Sequence, residues 1–164
     1  MGRYLFLLIG LLLTACQQSP EMQGNAKVKD GDSLVLNGGT QIRLWGIDAP
    51  EYEQNCYLGN DRLVSCGLMA NDYLKKLVEG QKITCYQKDI DRYQRIVAIC
   101  YNEDNIELNE AMVAGGWALD YTRYSGARYR VIEYRAKQEK LGIWNYMFDF
   151  PEDWRKTNSE SVKE

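Results

Sequence analysis

The sequence contains no histidine among its 164 residues, and it has no excess of positive charge. Without imidazole, Ser-His-Asp triads, Cys-His nucleophiles and His-ligated zinc are excluded. The 20 Lys and Arg residues are outnumbered by 23 Asp and Glu, which gives a formal net charge of −3. A basic surface over the whole molecule is therefore excluded, and any site for a polyanion must be local. Carboxylates, arginines, tyrosines and a hard metal ion remain to carry chemistry.

Long apolar runs are also absent, apart from the amino-terminal segment MGRYLFLLIGLLLTAC. This run is shorter than the roughly 20 residues that a membrane-spanning helix needs. One arginine before the apolar run and small residues after it are typical of a signal peptide, here residues 1–15. Leu13 to Cys16 resemble a bacterial lipobox, which predicts cleavage before Cys16 and a lipid on that cysteine. The alternative is an ordinary secretory signal with an unmodified cysteine. Either signal predicts export, and the lipobox predicts a lipid anchor in the cell-envelope membrane.

Two polar segments are predicted to flank the fold. Residues 16–26 contain Pro, Gly and several polar residues, which favours a flexible tether. Residues 147–164 form a carboxyl-terminal tail, and we expect its polar end from Lys156 to Glu164 to be frayed. Residues 27–146 then form one domain, and a chain of this size buries an adequate core without metal support.

Four cysteines follow Cys16, and an even number in an exported chain indicates two disulfides with three possible connectivities. Two predicted antiparallel strands, at 83–87 and 96–101, favour one of them, because they place Cys85 opposite Cys100. Cys56 and Cys66 would then close a short loop. No CxxC pair and no histidine are present, which makes zinc a poor alternative.

The order of predicted elements indicates the fold class. Residues 27–47 are rich in Val, Leu and Ile and are interrupted by DGD and NGG, so two or three strands with tight turns are predicted. Helical periodicity predicts helices over 68–79, about 109–114 and about 127–141, with a hairpin over 81–102 after the first. Strands followed by helices, without βαβ alternation, indicate an α+β fold with a mainly antiparallel sheet or small barrel.

Three short motifs contain the charged residues that are suited to catalysis: DGDS at 30–33, RLWGIDAPE at 43–51 and DRYQR at 91–95. Asp32 and Asp48, with a nearby backbone carbonyl, offer hard oxygen ligands for Ca²⁺ or Mg²⁺. Arg43 and Arg95 have the fork geometry that holds a phosphate at two points. Glu51, as a carboxylate not bound to the metal, is able to take a proton from water. Together these residues predict metal-assisted phosphodiester hydrolysis without histidine.

Each motif alone is weak evidence for a catalytic site. DGD occurs more often as a plain turn than as a metal site, and DRYQR alone is compatible with a simple hairpin tip. We assign Asp89 and Asp91 to that tip and to no other role. Only the combination of the three motifs favours a catalytic site.

In this combination and order, the motifs resemble those of the staphylococcal nuclease family. The resemblance covers Lys27 to Trp144 and continues through NEAMVAGGWA at 109–118 and EKLGIW at 139–144. It implies an α+β fold, a five-stranded OB-fold β-barrel with about three α-helices. Trp144 resembles a family tryptophan that packs against the fold.

The resemblance also implies roles, position by position. It assigns Ca²⁺ binding to Asp32, Asp48 and the carbonyl of Ala49, phosphate binding and transition-state stabilisation to Arg43 and Arg95, and water activation to Glu51. Asp30 is expected to be a supporting carboxylate behind the metal ligands. Family members cleave DNA and RNA endonucleolytically and leave 3′-phosphates, so this reaction is implied here.

Tyrosines predict how substrate is held, because bases stack on aromatic rings with little sequence preference. Tyr93 matches a substrate-side tyrosine of the family and Tyr124 falls near another, which favours single-stranded nucleic acid. The acidic chain and the cysteine-bearing insert from Gln54 to Cys66 depart from the best-known member. A catalytically silent OB-fold module that binds nucleic acid or protein is the alternative function. A monomer without an obligate protein partner is expected.

Overall fold

The structure is a computed structural model that describes residues 21–59 and 62–161. The predicted signal peptide, the lipobox and Cys16 lie outside the described residues. The strands are β1 (Glu21–Asp30), β2 (Ser33–Leu36), β3 (Thr40–Leu44), β4 (Ile47–Asp48), β5 (Cys56–Leu58), β6 (Arg62–Val64), β7 (Lys82–Ile90), β8 (Ile96–Tyr101) and β9 (Leu119–Asp120). The helices are α1 (Cys66–Val78), α2 (Leu108–Ala114), α3 (Thr122–Ser125), α4 (Arg130–Gln138) and α5 (Pro151–Ser161), with a 3₁₀ helix at Gly142–Asn145.

Five of the strands close into a barrel in the order β1-β2-β3-β8-β7. All neighbours in it are antiparallel except β3 and β8, which run parallel. This confirms the predicted five-stranded OB-fold barrel. Alternation along β3 explains its place in the barrel wall, because Ile42 and Leu44 are buried while Gln41 is exposed.

The first barrel strand corrects one sequence prediction. Residues 16–26 were expected to form a tether, yet β1 begins at Glu21 and pairs with β7 from Glu21 opposite Tyr86 to Asn25 opposite Lys82. The prediction is wrong for residues 21–26. The backbone of this polar segment is held by ladder hydrogen bonds on one side of the barrel, which composition does not reveal.

Both disulfides form as predicted. Cys85 and Cys100 are opposite one another on β7 and β8 and are bonded, and Cys56 is bonded to Cys66 across the β5–β6 hairpin. The barrel disulfide is buried in the main core beside Ile83 and Ala98, while the other disulfide belongs to a smaller core with Ile143.

The helices are more numerous than the predicted three. Helices α1 and α2 match the predictions, but the helix expected at 127–141 covers only Arg130–Gln138. Gly126 and Ala127 have φ angles of 61° and 68°, which are left-handed, so the right-handed helix cannot include Ala127 as predicted. Helix α5 lies in the tail that was expected to be frayed. Within residues 21–59 and 62–161, none of the helices has the length and apolar composition that a membrane span requires.

Candidate active site

The turn between β1 and β2 positions the first predicted metal ligand. Asp30 Oδ1 accepts a hydrogen bond from the backbone N–H of Asp32 at 3.2 Å, which fixes the turn, and Asp32 is only 4% exposed. A Cβ on Gly31 would lie 2.8 Å from the Cβ of Ala49, so only glycine allows this turn to approach the end of β4. Asp30 therefore fixes the turn that carries Asp32, and its supporting role at a metal stays a prediction.

Arg43 joins the two predicted ligands. It lies on β3 opposite Ser33, one residue after Asp32. Its Nη1 donates to Asp32 Oδ1 at 2.6 Å and its Nη2 donates to Asp48 Oδ1 at 3.1 Å. The backbone N–H of Ala49 donates to Asp32 Oδ2 at 3.2 Å. The structure thus brings Asp32, Arg43, Asp48 and Ala49 together, as the first two motifs predicted.

Burial and like charge tune the carboxylates of this cluster. Burial, with the neighbouring charge of Asp32, raises the pKa of Asp30 to about 6. Burial also raises the pKa of Asp48, although the hydrogen bonds from Arg155 oppose that shift. Burial alone would lower the pKa of Arg43, but the charges of Asp32 and Asp48 outweigh it and raise that pKa. The negative charges of Asp32 and Asp48 therefore stabilise the charged form of the Arg43 guanidinium between them.

Glu51 lies at the edge of the cluster on a loop that the cysteine insert supports. The buried side chain of Gln54 accepts from the backbone N–H of Glu51 at 3.2 Å and donates to the carbonyl of Asp149 at 2.7 Å. Gly67 N–H donates to the carbonyl of Gln54 at 3.0 Å. The Glu51 side chain itself remains about a third exposed, at 32%. The insert therefore holds the backbone of Glu51 and leaves its carboxylate accessible.

Arg95 enters the same cleft from the β7–β8 hairpin and is held by Asp91. Asp91 Oδ2 accepts from Arg95 Nε at 2.7 Å, and its Oδ1 accepts from the backbone N–H groups of Tyr93 and Arg95 at 2.9 Å each. Burial acts to raise the pKa of Asp91, but these hydrogen bonds lower it overall. Assigning Asp91 to the hairpin tip alone was wrong, because it also positions Arg95. Asp89 remains a residue of the strand end, where it accepts from the N–H of Ile90.

A residue that the sequence motifs did not identify completes the cluster. Arg155 of α5 donates from Nη1 to Asp48 Oδ1 and from Nη2 to Asp48 Oδ2, both at 3.0 Å, and from Nη1 to Glu51 Oε1 at 2.7 Å. Burial acts to lower the pKa of Arg155, but the hydrogen bonds and charge of Asp48 raise it overall. The expectation of a frayed end from Lys156 onwards is wrong for residues 156–161, because α5 continues to Ser161. Pro151 at the helix start and two acidic residues in its first turn were signals for α5.

The cluster opens into a cleft of about 1190 Å³. The cleft is lined by Glu51, by the three arginines just described, by the tyrosines Tyr93, Tyr121 and Tyr124, and by the basic residues Lys29, Arg92, Arg123 and Lys156. Tyr93 and Tyr124 are 64% and 55% exposed, and Tyr124 makes a T-shaped contact with Tyr121, with ring centroids 4.8 Å apart. Both predicted substrate tyrosines are therefore exposed to solvent beside the charged cluster. Trp144 lies elsewhere, half-buried against Phe148 in the smaller core, as expected of a packing residue.

The donor set fits a hard cation with few protein ligands. Among the residues that the structure describes, no group of three or more His, Cys, Asp or Glu side chains is arranged to hold a metal. Asp32 and Asp48 supply carboxylate oxygens, and Ala49 a backbone carbonyl, which are ligands that Ca²⁺ prefers when water completes its shell. Arg155 engages both oxygens of Asp48, so positive charge is already favoured there.

Comparison with known proteins agrees with this geometry. The model of the staphylococcal nuclease homologue family matches residues 41–146. The chain belongs to the staphylococcal nuclease family. A protein of Haemophilus influenzae named an uncharacterized endonuclease is 31% identical over 157 residues, covering 92% of this chain and 82% of that protein. An Escherichia coli protein of the same name is 32% identical over 123 residues, covering 73% and 74%. Micrococcal nuclease of Shigella flexneri is 28% identical over 133 residues, covering 73% and 71%.

Membership of the family makes this chain a nuclease, a hydrolase of nucleic acid. Its fold, the five-stranded barrel with helices, is the one that the resemblance implied. The family motifs predicted the cluster around Arg43 and the cleft position of Arg95 and Tyr93. They did not predict Arg155, since it lies 104 positions beyond Glu51 in the chain.

Proposed function

We propose that this nuclease hydrolyses DNA and RNA endonucleolytically in the presence of Ca²⁺ and leaves 3′-phosphates. One observation carries the proposal: two buried carboxylates joined by Arg43 lie beside the partly exposed Glu51 in a cleft that Arg95 also lines. The family's reaction needs a cation site, two phosphate-binding arginines and a carboxylate outside the cation site. Arg43, Arg95 and Glu51 line one cleft, and the carboxylates of Asp32 and Asp48 accept hydrogen bonds from Arg43 at its wall.

The cation would be held by Asp32, Asp48 and the carbonyl of Ala49. When bound there, Ca²⁺ would offset the negative charge of the scissile phosphate and favour charge development on its oxygens. Its few protein ligands leave coordination positions for water and substrate. Asp30 supports this site through the turn that fixes Asp32.

The remaining groups act on the phosphate and the attacking water. Arg43 and Arg95 would donate to the non-bridging oxygens and stabilise the charge of the transition state. Glu51 would accept the proton of the attacking water as its oxygen bonds to phosphorus. The bond from phosphorus to the 5′-oxygen breaks, the 5′-oxygen takes up a proton from solvent water, and the phosphate stays on the 3′ side. We assign Arg95 an electrostatic role, because guanidinium is too weak an acid to donate a proton readily.

Substrate binding is proposed to favour single strands. The exposed rings of Tyr93 and Tyr124 are suited to stack on bases that a duplex would keep paired. The net charge of −3 makes nonspecific attraction to nucleic acid weak, so binding should depend strongly on the local cations of the cleft.

A cleavage assay tests this function. The purified protein is incubated with single-stranded DNA, duplex DNA or RNA, with Ca²⁺ or a chelator, beside Glu51→Gln. We expect the chelator to abolish cleavage and Glu51→Gln to lower the rate by about 100-fold or more, as for loss of a general base. The melting temperature should stay near that of the unaltered protein, and cleaved ends should carry 3′-phosphate.

The matched control is Glu139→Gln, which removes one exposed carboxylate outside the cleft. It should keep full activity. Binding without cleavage under every metal would contradict the proposal and favour a silent OB-fold module. Equal loss of activity and thermal stability in Glu51→Gln would make Glu51 a structural residue.

We further propose that the nuclease is exported and is held at the cell-envelope membrane by a lipid on Cys16, acting as a monomer. The signal-like segment before Cys16 supports export, as do two disulfides, which persist in oxidising compartments. Mass spectrometry of protein extracted from envelopes tests the anchor. An unmodified amino terminus would contradict it.

A further inference from the structure

Arg155 occupies the oxygens that the proposed metal needs. Its guanidinium forms two parallel hydrogen bonds with Asp48, at 3.0 Å each, and a third with Glu51 at 2.7 Å. Two-point pairing of arginine with a carboxylate is among the stronger side-chain contacts. Asp48 Oδ1 also accepts from Arg43 at 3.1 Å, so two guanidinium groups already neutralise this carboxylate.

A divalent cation bound at Asp48 would meet Arg155 directly. It would need a carboxylate oxygen lone pair to which Arg155 now donates, and it would repel the guanidinium because both are positively charged. The pair is partly shielded from water, since the side chain of Asp48 is 5% exposed and that of Arg155 is 33% exposed. Screening by solvent is weak under such burial. Arg43 differs from Arg155, because it contacts one oxygen of each proposed ligand, Asp32 Oδ1 and Asp48 Oδ1, and leaves the second oxygen of each to other partners.

The cysteine insert holds the segment that leads into α5 and so places Arg155 beside Asp48. Tyr57 of β5 and Met147 exchange two backbone hydrogen bonds, at 2.8 and 2.9 Å. Gln54 donates to the carbonyl of Asp149 at 2.7 Å, two residues before α5 begins. The Cys56–Cys66 disulfide links the two ends of the segment that contains the β5–β6 hairpin. Residues 147–149 are thus attached to the insert, and α5 extends from that attachment to the cleft.

We propose that Arg155 is an internal counter-ion of the metal site, which competes with a divalent cation for Asp48 while it also pairs with Glu51. Binding of the cation and docking of α5 then oppose each other. The proposal rests on the proposed function, since it takes Asp48 as a ligand of the catalytic cation. It assigns the insert and α5 a shared role: they set the cation concentration at which the nuclease becomes active.

Calorimetric titration with Ca²⁺ tests the competition without any substrate. Removing the guanidinium in Arg155→Gln should lower the Ca²⁺ dissociation constant by about tenfold, within the range usual for coupled sites. Arg135→Gln is the matched control, because Arg135 is an exposed residue of α4 that does not line the cleft. It should bind Ca²⁺ as the unaltered protein does.

The reverse effect is equally required, since coupling between two equilibria is reciprocal. In the unaltered protein, saturating Ca²⁺ should accelerate amide hydrogen exchange over residues 152–158 of α5. In Arg155→Gln, exchange over these residues should already be fast without Ca²⁺ and change little on its addition. Exchange in the barrel strand β8 serves as the internal reference.

The outcomes separate this proposal from the proposed function. Equal Ca²⁺ dissociation constants for the unaltered protein and Arg155→Gln would overturn the competition and leave the metal site intact. Weaker Ca²⁺ binding by Arg155→Gln would also overturn it, and would make Arg155 a residue that positions Asp48. If neither protein binds Ca²⁺, the assignment of Asp48 as a ligand fails as well. Unchanged Ca²⁺ binding with weaker binding of single-stranded DNA would make Arg155 a phosphate ligand.

Discussion

Three of the arginines that line the cleft differ in how they pair with carboxylates. Arg43 pairs with two buried carboxylates, and Arg155 pairs with Asp48 and Glu51. Arg95 contacts Asp91 through its Nε, and among the described residues no carboxylate contacts its Nη atoms. Its Nη atoms therefore have the geometry to bind a phosphate while Nε keeps the side chain in place.

This geometry predicts the effect of a conservative change. Arg95→Lys keeps the positive charge, but an ammonium cannot pair with Asp91 and still present two parallel donors. We expect kcat/KM to fall by about 100-fold, the size seen when one donor to a transition-state oxyanion is removed. Steady-state cleavage of a single-stranded oligonucleotide measures this, with the melting temperature as the check on folding.

Arg92→Lys in the same hairpin is the control for Arg95→Lys. Arg92 lies over the ring of Tyr93, with its guanidinium 4.8 Å from the ring centroid, and its positive charge survives the change. It should retain kcat/KM within a few-fold. Near-normal turnover by Arg95→Lys would contradict the two-point role of Arg95.

Some residues of the cleft were predictable from the sequence, and others were not. Asp32, Arg43 and Asp48 lie within 17 positions in two motifs, and neighbouring strands bring such residues together, so their cluster was predictable. Asp91 was predictable as a turn residue but not as the partner of Arg95. Arg155 was not predictable, because its contact with Glu51 spans 104 positions and depends on how α5 docks.

At the scale of elements, the first turn of α1 is packed against the loop that carries Glu51. A Cβ added to Gly67 would lie 1.7 Å from the carbonyl oxygen of Glu51 and 2.8 Å from that of Tyr52. Since both are backbone atoms, the loop and the helix would have to separate. Gly67 therefore sets how closely the two elements approach.

Gly67→Ala should lower both stability and activity. Overpacking of this kind costs about 1–3 kcal/mol in the free energy of unfolding. The shift of the loop would also move Glu51, so kcat should fall by more than the fraction unfolded explains. Urea denaturation and cleavage kinetics on the same sample measure the two effects.

Gly39→Ala is the control, because a Cβ there meets no atom within 4 Å. It should leave both quantities nearly unchanged. An unchanged free energy of unfolding for Gly67→Ala would contradict this, because it would mean that Gly67 lies farther from the Glu51 carbonyl than the structure shows.

Two elements escaped prediction for a common reason, which is that their composition is polar. Strand β1 alternates exposed polar residues with half-buried Met22, Gly24 and Ala26 from Glu21 to Lys27, and this apolar face is too small to mark a strand by pattern alone. Helix α5 is likewise polar and contacts the cleft through Arg155. In both, the specifying interactions are ladder hydrogen bonds or ion pairs with distant residues, which local patterns do not carry.

At the scale of the molecule, an acidic chain must bind a polyanion with few local charges. The net charge is −3, yet the cleft is lined by Lys29, Arg92, Arg95 and Arg123. Arg43 and Arg155 each pair with two carboxylates, so they bring little net positive charge to the strand even where Arg43 donates to the scissile phosphate, whereas Arg95 pairs with Asp91 alone. The four cations just named are therefore the main candidates to replace counterions on a bound strand.

Because phosphate contacts release counterions, the number of contacts can be measured from the salt dependence of binding. Each phosphate neutralised on a single strand contributes about −0.7 to the slope of log K against log salt, so four contacts give about −3. Fluorescence anisotropy of a labelled oligonucleotide with Glu51→Gln in Ca²⁺ measures the slope without cleavage.

Changing one of the four cations then counts the contacts directly. Arg123→Gln, combined with Glu51→Gln, should reduce the slope to about −2, because one phosphate contact is lost. Arg135→Gln, outside the cleft, should leave it unchanged. A slope beyond about −5 would require a basic surface outside the cleft, which the net charge argues against. A slope near zero would mean that base stacking on Tyr93 and Tyr124, and not the cleft cations, supplies the binding free energy.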